Sequence, residues 1–283
     1  MSIRLIAFDL DGTMLDDNKK LTAENLNALK EAAESGVVLV PATGRIYPAI
    51  PECLKDLSFV RYYILANGGC IYDSLQDEII YRGEIPSQLS LRCVKYMDTL
   101  PVIYDCYQDN RGYMSESMYN KAESFFPDQP HMVELVKRLR KPVPDLYEFL
   151  ESNGQGVQKL QMFFMEEDME LRETQLRTFS EVFPELAATS SVKNNIEINS
   201  VYGGKGNALK ALAQRLGIDL KDTAAFGDGT NDIEMLKASG CGVAMENAAA
   251  EVKAAADMIT GDNNHSGVGK GISLLLNGNR RLT

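Results

Sequence analysis

The 283-residue sequence holds only two histidines, His131 and His265. A mechanism that needs a histidine base or a cluster of imidazole ligands is poorly supplied. Cysteine is scarce as well. Cys53, Cys70, Cys93, Cys106 and Cys241 are odd in number and form no CxxC pair, which argues against a disulfide framework or a structural zinc site. Reduced, mostly buried thiols in a cytoplasmic protein are the expectation. Basic residues are outnumbered, 29 to 40, for a net charge of -11. That balance speaks against a nucleic-acid partner, whose affinity comes from clustered Lys and Arg. It leaves room for a small anionic substrate, because a local pocket can be positive on an acidic protein. No apolar run approaches the roughly 18 residues of a membrane span. The first residues lack the basic and apolar regions of a signal peptide. Neither membrane insertion nor export is expected, and the chain is read as a monomer or small homo-oligomer.

What is present is an ordinary globular composition, 45% hydrophobic and 24% charged, long enough for one large domain or two modest ones. "IRLIAF" reads as a strand buried on both faces. "TAENLNALKEAAESG" (residues 22 to 36) reads as a helix capped by Thr22 and ended by Gly36. "VVLVPATG" and "YYILANGG" follow as second and third strands. The last third repeats the rhythm, with helices over "GKGNALKALAQRLGI", "TNDIEMLKASG", "AAAEVKAAA" and "SGVGKGISLLLNG" between the strands "DTAAFGD", "CGVAM" and "DMIT". Such alternation predicts an α/β fold, a Rossmann-like doubly wound parallel sheet. The middle differs. There "PVIYDCY", "GYMSES" and "GVQKLQMFF" read as strands among helices such as "SQLSLRCVKYMDTL" and "EDMELRETQLRTFSEVF". "QDNRG" carries hairpin-turn chemistry, and "FFPDQPH" and "RKPVPDL" are proline-bearing breaks. This section is expected to be an inserted α+β domain at residues 84-195, with residues 1-83 and 196-283 forming one discontinuous core.

The chemistry begins with Asp9 and Asp11, at the carboxyl end of the first strand, where open α/β sheets place their ligands. A lone DxD also fits a simple turn. "GDGTNDIEML" (residues 227 to 236) repeats the situation: Asp228 ends a strand, and Asn231 and Asp232 open the next helix. One acidic residue would serve as a cap; three polar groups exceed that need. Carboxylates from two strand ends suggest one acidic site and a hard cation such as Mg²⁺. In "PATGR", Thr43 follows a strand with Gly44 and Arg45 behind it, a hydroxyl and amides suited to a phosphate oxygen, though a helix cap accounts for Thr43 too. In "GGKGNAL", Lys205 lies between glycines, as either a solvent lysine or a phosphate partner. "GVGKGI" mimics a phosphate-binding loop but has Asn264 and Gly271 where glycine and a hydroxyl are required.

In that order "DLDGT", "TGR", a glycine-flanked lysine and "GDGTNDIEML" resemble the haloacid dehalogenase superfamily, and within it the Cof-like phosphatases with a type IIB cap. "NGG" at Asn67 to Gly69 fits, as does "NAAAEVKAAADMIT" with the later "GVGKGI". Met14 and Gly204 depart from the usual leucine and serine without removing a reacting group. The resemblance implies a Mg²⁺-dependent phosphatase for a small phosphorylated metabolite, a sugar phosphate above all. Asp9 is implied as nucleophile and Asp11 as the acid that protonates the leaving oxygen. Thr43 and Lys205 would hold phosphate, with contacts also from Leu10, Gly12, Gly44, Arg45 and Asn231. The metal would be held by Asp9, Asp11 through its carbonyl, Asp228 and Asp232. The inserted domain would act as a lid. Alternatives are a phosphomutase, for which Arg92, Arg111, Arg138, Arg140, Arg172 and Arg177 in the insertion are candidates although they read mostly as solvated, and a non-catalytic phosphate-binding regulator.

Overall fold

In the computed structural model, which describes residues 3–278, the first apolar run forms β1 (Leu5–Phe8) with all four residues buried. Thr22 caps α1 (Ala23–Glu34), its hydroxyl accepting from the Asn25 amide. β2 (Val38–Pro41) runs parallel to β1. Past the short α2 (Glu52–Lys55) come β3 (Tyr62–Leu65), β4 (Cys70–Asp73) and β5 (Glu78–Arg82). The sequence reading made Tyr62–Leu65 a third parallel strand of the main sheet. Instead these three strands form an antiparallel sheet of their own. An isolated parallel bridge, Ala42 to Ile64, links β3 to the end of β2.

The chain divides into two compact units, residues 1–82 with 204–283 and residues 83–203. The second unit opens with α3 (Ser87–Met97), then β6 (Ile103–Gln108) and β7 (Arg111–Ser115). The β6–β7 turn is the expected hairpin, with Asp109 and Asn110 at φ 46° and 59°. α4 (Glu116–Phe125) and α5 (Pro130–Leu139) follow, then β8 (Arg140–Val143), α6 (Leu146–Asn153), β9 (Lys159–Phe163), α7 (Met169–Val182), β10 (Leu186–Thr189) and β11 (Asn195–Ser200). The sheet order is β10-β11-β9-β6-β7-β8. Two sequence expectations change here. "RKPVPDL" is not only a break: its first four residues are β8, and Pro142 is tolerated because β8 is an edge strand. The second boundary falls after Gly203 rather than at residue 195, because β11 pairs with β9 and β10.

The first unit resumes with α8 (Lys205–Arg215), β12 (Thr223–Gly227), α9 (Ile233–Ala238), β13 (Gly242–Ala244), α10 (Ala250–Ala254), β14 (Met258–Ile259) and α11 (Gly267–Leu276). Its sheet runs β14-β13-β12-β1-β2, every pairing parallel. Its core joins Leu5, Ile6, Phe8, Leu39 and Val40 to Leu209, Phe226, Val243 and Ile272. Phe8 lies opposite both Phe226 and Pro41. The carboxyl ends of β1, β2 and β12 are therefore level, and the residues after them emerge side by side. Among the described residues no helix is long and apolar enough to cross a membrane.

Candidate active site

Three linked groups of side chains stand where those strands end. The first is acidic. Asp9, Asp228 and Asp232 each bring a carboxylate oxygen within 4.8 Å of the others. Lys205, at the start of α8 and 1% exposed, donates to Asp9 Oδ1 at 2.6 Å and to Asp232 Oδ1 at 2.7 Å. The other Asp232 oxygen accepts from the amides of Asp228 and Gly229 at 3.1 and 2.9 Å, which fixes the loop after β12. Thr13 Oγ1 donates to Asp228 Oδ1 at 2.6 Å. Gly12 makes that approach possible: it sits at φ +83°, and a Cβ there would lie 2.4 Å from Asp228 Oδ2.

The charges do not balance, since one ammonium faces three carboxylates. Burial raises the Asp9 carboxyl above the ordinary range; Lys205 pulls it down while Asp232 and Asp228 push it further up. Burial likewise raises Asp228, with Thr13 opposing. Burial works against the Lys205 charge, yet Asp232 and Asp9 hold that ammonium well above its usual range. A donor set of carboxylate oxygens with surplus negative charge suits a hard divalent cation, and these three residues could hold one.

The second group holds Asp11. Its carboxylate accepts from Arg45 Nε at 2.8 Å and Arg45 Nη2 at 2.7 Å, and Lys19 Nζ lies 2.8 Å away. Burial pushes this carboxyl up, but hydrogen bonds and charge from Arg45 and Lys19 outweigh it and bring it down to about 2. The sequence reading expected a proton on Asp11, and here the group is ionised. Its carboxylate also lies outside the acidic cluster. Arg45, expected at phosphate, is spent on Asp11 and on the Ala49 carbonyl, 2.8 Å from Nη1. The reason is geometric: the forked guanidinium matches a carboxylate with two parallel bonds.

The third group is polar and uncharged. Thr43, 2% exposed, accepts from the Arg45 amide at 3.3 Å. Asn231 Nδ2 donates to Asn67 Oδ1 at 3.1 Å. Leu10 is wholly buried in the core.

A family model described as haloacid dehalogenase-like hydrolase matches residues 6–272. The chain belongs to that family. This haloacid dehalogenase-like hydrolase is 30% identical over 288 residues to the Bacillus subtilis phosphatase YwpJ, covering 94% of this chain and 97% of the relative. It is 31% identical over 290 residues to the 5-amino-6-(5-phospho-D-ribitylamino)uracil phosphatase YwtE of the same organism, covering 98% and 99%. Among solved structures, a haloacid dehalogenase-like hydrolase from B. subtilis superposes with a TM-score of 0.79 at 28% identity, covering 96% of this chain and 99% of the other.

Several residues of this hydrolase's site escaped the sequence reading. Thr13 stood only as the last residue of "DLDGT", with nothing to tie it to Asp228. Lys19 carried no signal at all in "DDNKK". Asn247, which donates to the Gly12 carbonyl at 2.8 Å, was visible only inside a longer motif. Of the arginines in the insertion, Arg140 and Arg172 are buried rather than solvated. Arg172 is committed to Asn195, Glu173 and Ser190, and Arg140 to Asp105. A cavity of about 470 Å³ lies wholly in the second unit, lined by Phe125, Met132, Phe164 and Met169 among others and by none of the site residues.

Proposed function

We propose that the protein is a Mg²⁺-dependent phosphatase for a small phosphorylated metabolite of the sugar-phosphate kind, acting through an aspartyl-phosphate on Asp9. The observation that carries this is the Asp9 carboxylate, clustered with those of Asp228 and Asp232 and bonded to Lys205. The names of the relatives, one of them a phosphatase for a phosphorylated ribityl compound, support the substrate class. Asp9, Asp228 and Asp232 would hold Mg²⁺, which when bound would neutralise phosphoryl oxygens and favour the ionised Asp9.

An Asp9 oxygen attacks phosphorus, the ester P–O bond breaks, and the leaving oxygen takes a proton. Water then attacks the acyl phosphate, gives up a proton, and releases inorganic phosphate with Asp9 restored. Asp11, two residues on, would make both transfers. While Arg45 and Lys19 hold it at about 2 its carboxylate is a weak base, so serving the second step also requires that it leave them. To serve as the acid of the first, it must leave Arg45 and Lys19 and take up a proton. Lys205, freed from Asp9 as the phosphoryl group arrives, would meet its charge, and Thr43 and the amides after β1 and β2 would hold its oxygens.

The test is phosphate release across a panel of several dozen phosphate esters with Mg²⁺. Asp9→Asn should lose at least about 10³-fold in kcat, since the nucleophile itself is removed, with circular dichroism unchanged. Turnover by that variant at the wild-type rate would rule out the intermediate. An isomerised product without free phosphate would point to a phosphomutase instead.

A further inference from the structure

Resting on the phosphatase reading, we infer that Asn67 is a positioning residue: its backbone amide holds the Thr43–Arg45 loop and its side chain holds Asn231, so the polar side of the phosphate cradle is set before substrate arrives.

Three independent features of the first unit meet at this residue. The backbone turns there in an unusual way. Ala66 and Asn67 are consecutive non-glycine residues with left-handed dihedrals, φ 51° and 59°, and both are buried. Asparagine is among the residues that tolerate this region and alanine is not. Surroundings must therefore impose the turn. They do: the Ala66 amide donates to the Arg45 carbonyl and the Asn67 amide to the Thr43 carbonyl, each at 2.9 Å. The loop after β2 is thus stitched to the turn after β3.

The side chain then reaches a second loop. Asn67 Oδ1 accepts from Asn231 Nδ2, 164 residues away in sequence. Asn231 lies between Gly229 and Asp232, in the segment whose amides Asp232 fixes. The same Oδ1 would be only 2.8 Å from a Cβ at Gly44, so glycine there lets the amide through. One residue thus joins the two loops, the "TGR" loop through its backbone amide and the "GDGTND" loop through its side chain. If the asparagine served only the left-handed turn, glycine would do as well or better. The amide bridge is what glycine cannot supply.

That difference defines the experiment. Asn67→Gly keeps the backbone conformation and deletes the bridge. Wild type, Asn67→Gly, Asn231→Ala and the double variant are compared for kcat and KM on the best ester of the panel, for melting temperature, and for orthovanadate binding with Mg²⁺ by calorimetry. Vanadate imitates the phosphoryl group and needs no knowledge of the substrate. The expected result is a loss of about 10- to 100-fold in kcat/KM for Asn67→Gly, as for a misplacement of about 1 Å. Vanadate Kd should weaken in parallel and the melting temperature should hold. The double variant should be no worse than the poorer single, since coupled residues are not additive. A silent Asn67→Gly, or losses that multiply in the double variant, overturns the inference. So does wild type that binds no vanadate. The phosphatase reading fails separately, through an active Asp9→Asn: dead Asp9→Asn beside silent Asn67→Gly would remove the positioning role alone.

Discussion

At Lys205 a fully buried ammonium is shared between Asp9 and Asp232, with Asp228 at hand. Removing one member of a buried ion pair strands the other, at a cost of about 3–5 kcal/mol. Lys205→Met should therefore lower the melting temperature of EDTA-treated protein by several degrees, and added Mg²⁺ should restore part of the loss. A variant as stable as wild type without metal would show that the carboxylates tolerate their own repulsion. Asp11 supplies a second prediction, in pH. Its folded value of about 2 lies below the ordinary 3.8. A depressed carboxyl contributes stability above its unfolded value and loses it as pH falls through its folded value. The contribution of the Arg45 pair is thus full above about pH 4 and gone near pH 2. Melting temperatures of wild type and Arg45→Gln should differ at pH 5 and converge on acidification across about that window. A constant gap would mean the pair adds nothing through Asp11.

Among the elements, the β1 exit loop is the least forgiving. Gly12 combines a left-handed φ with a close approach to Asp228. Gly12→Ala adds backbone strain of order 1–3 kcal/mol and forces the Asp228 carboxylate aside. Both melting temperature and Mg²⁺ affinity should fall; retention of either would separate strain from displacement. The core strands were legible because strands buried on both faces read as continuous apolar runs, as "LIAF" does. β11 was not. In "NIEINS" the polar Asn195, Glu197 and Asn199 look solvated, yet all six residues are buried. What makes that possible is distant: Lys159 meets Glu197 at 2.7 Å and the Gln158 carbonyl takes the Asn199 amide at 3.0 Å. Local pattern carries no trace of partners some forty residues away, so the domain boundary was drawn through a strand. Pro142 misled for the opposite reason, since its exclusion from sheets does not extend to an edge.

For the molecule as a whole, the acidic site was legible because its parts are short motifs at strand ends and the parallel topology brings such ends together. Its pairings were not. Nothing in the sequence ties Lys19 or Arg45 to Asp11. Global stability offers the matching test. A cation bound only by the folded state stabilises it by RT ln(1 + [L]/Kd), about 2.7 kcal/mol at a hundredfold excess over Kd. Melting temperature should climb with Mg²⁺ concentration, and Asp228→Asn should flatten the curve; an identical curve for the variant would place the ion elsewhere.

β1 lies between β2 and β12, and Asp9 meets a lysine 196 residues further along the chain. A ribosome delivers β1 and β2 early, then the entire insertion, and only afterwards α8 and β12. Domains fold as units during synthesis, so the six-stranded unit can close while one edge of β1 still waits for its neighbour. Pairing across such separations is slow and leaves an apolar edge open in the interval. The acidic cluster is therefore among the last things assembled: a truncated or stalled chain carries the "DLDGT" motif complete and lacks both Lys205 and the two aspartates that follow β12.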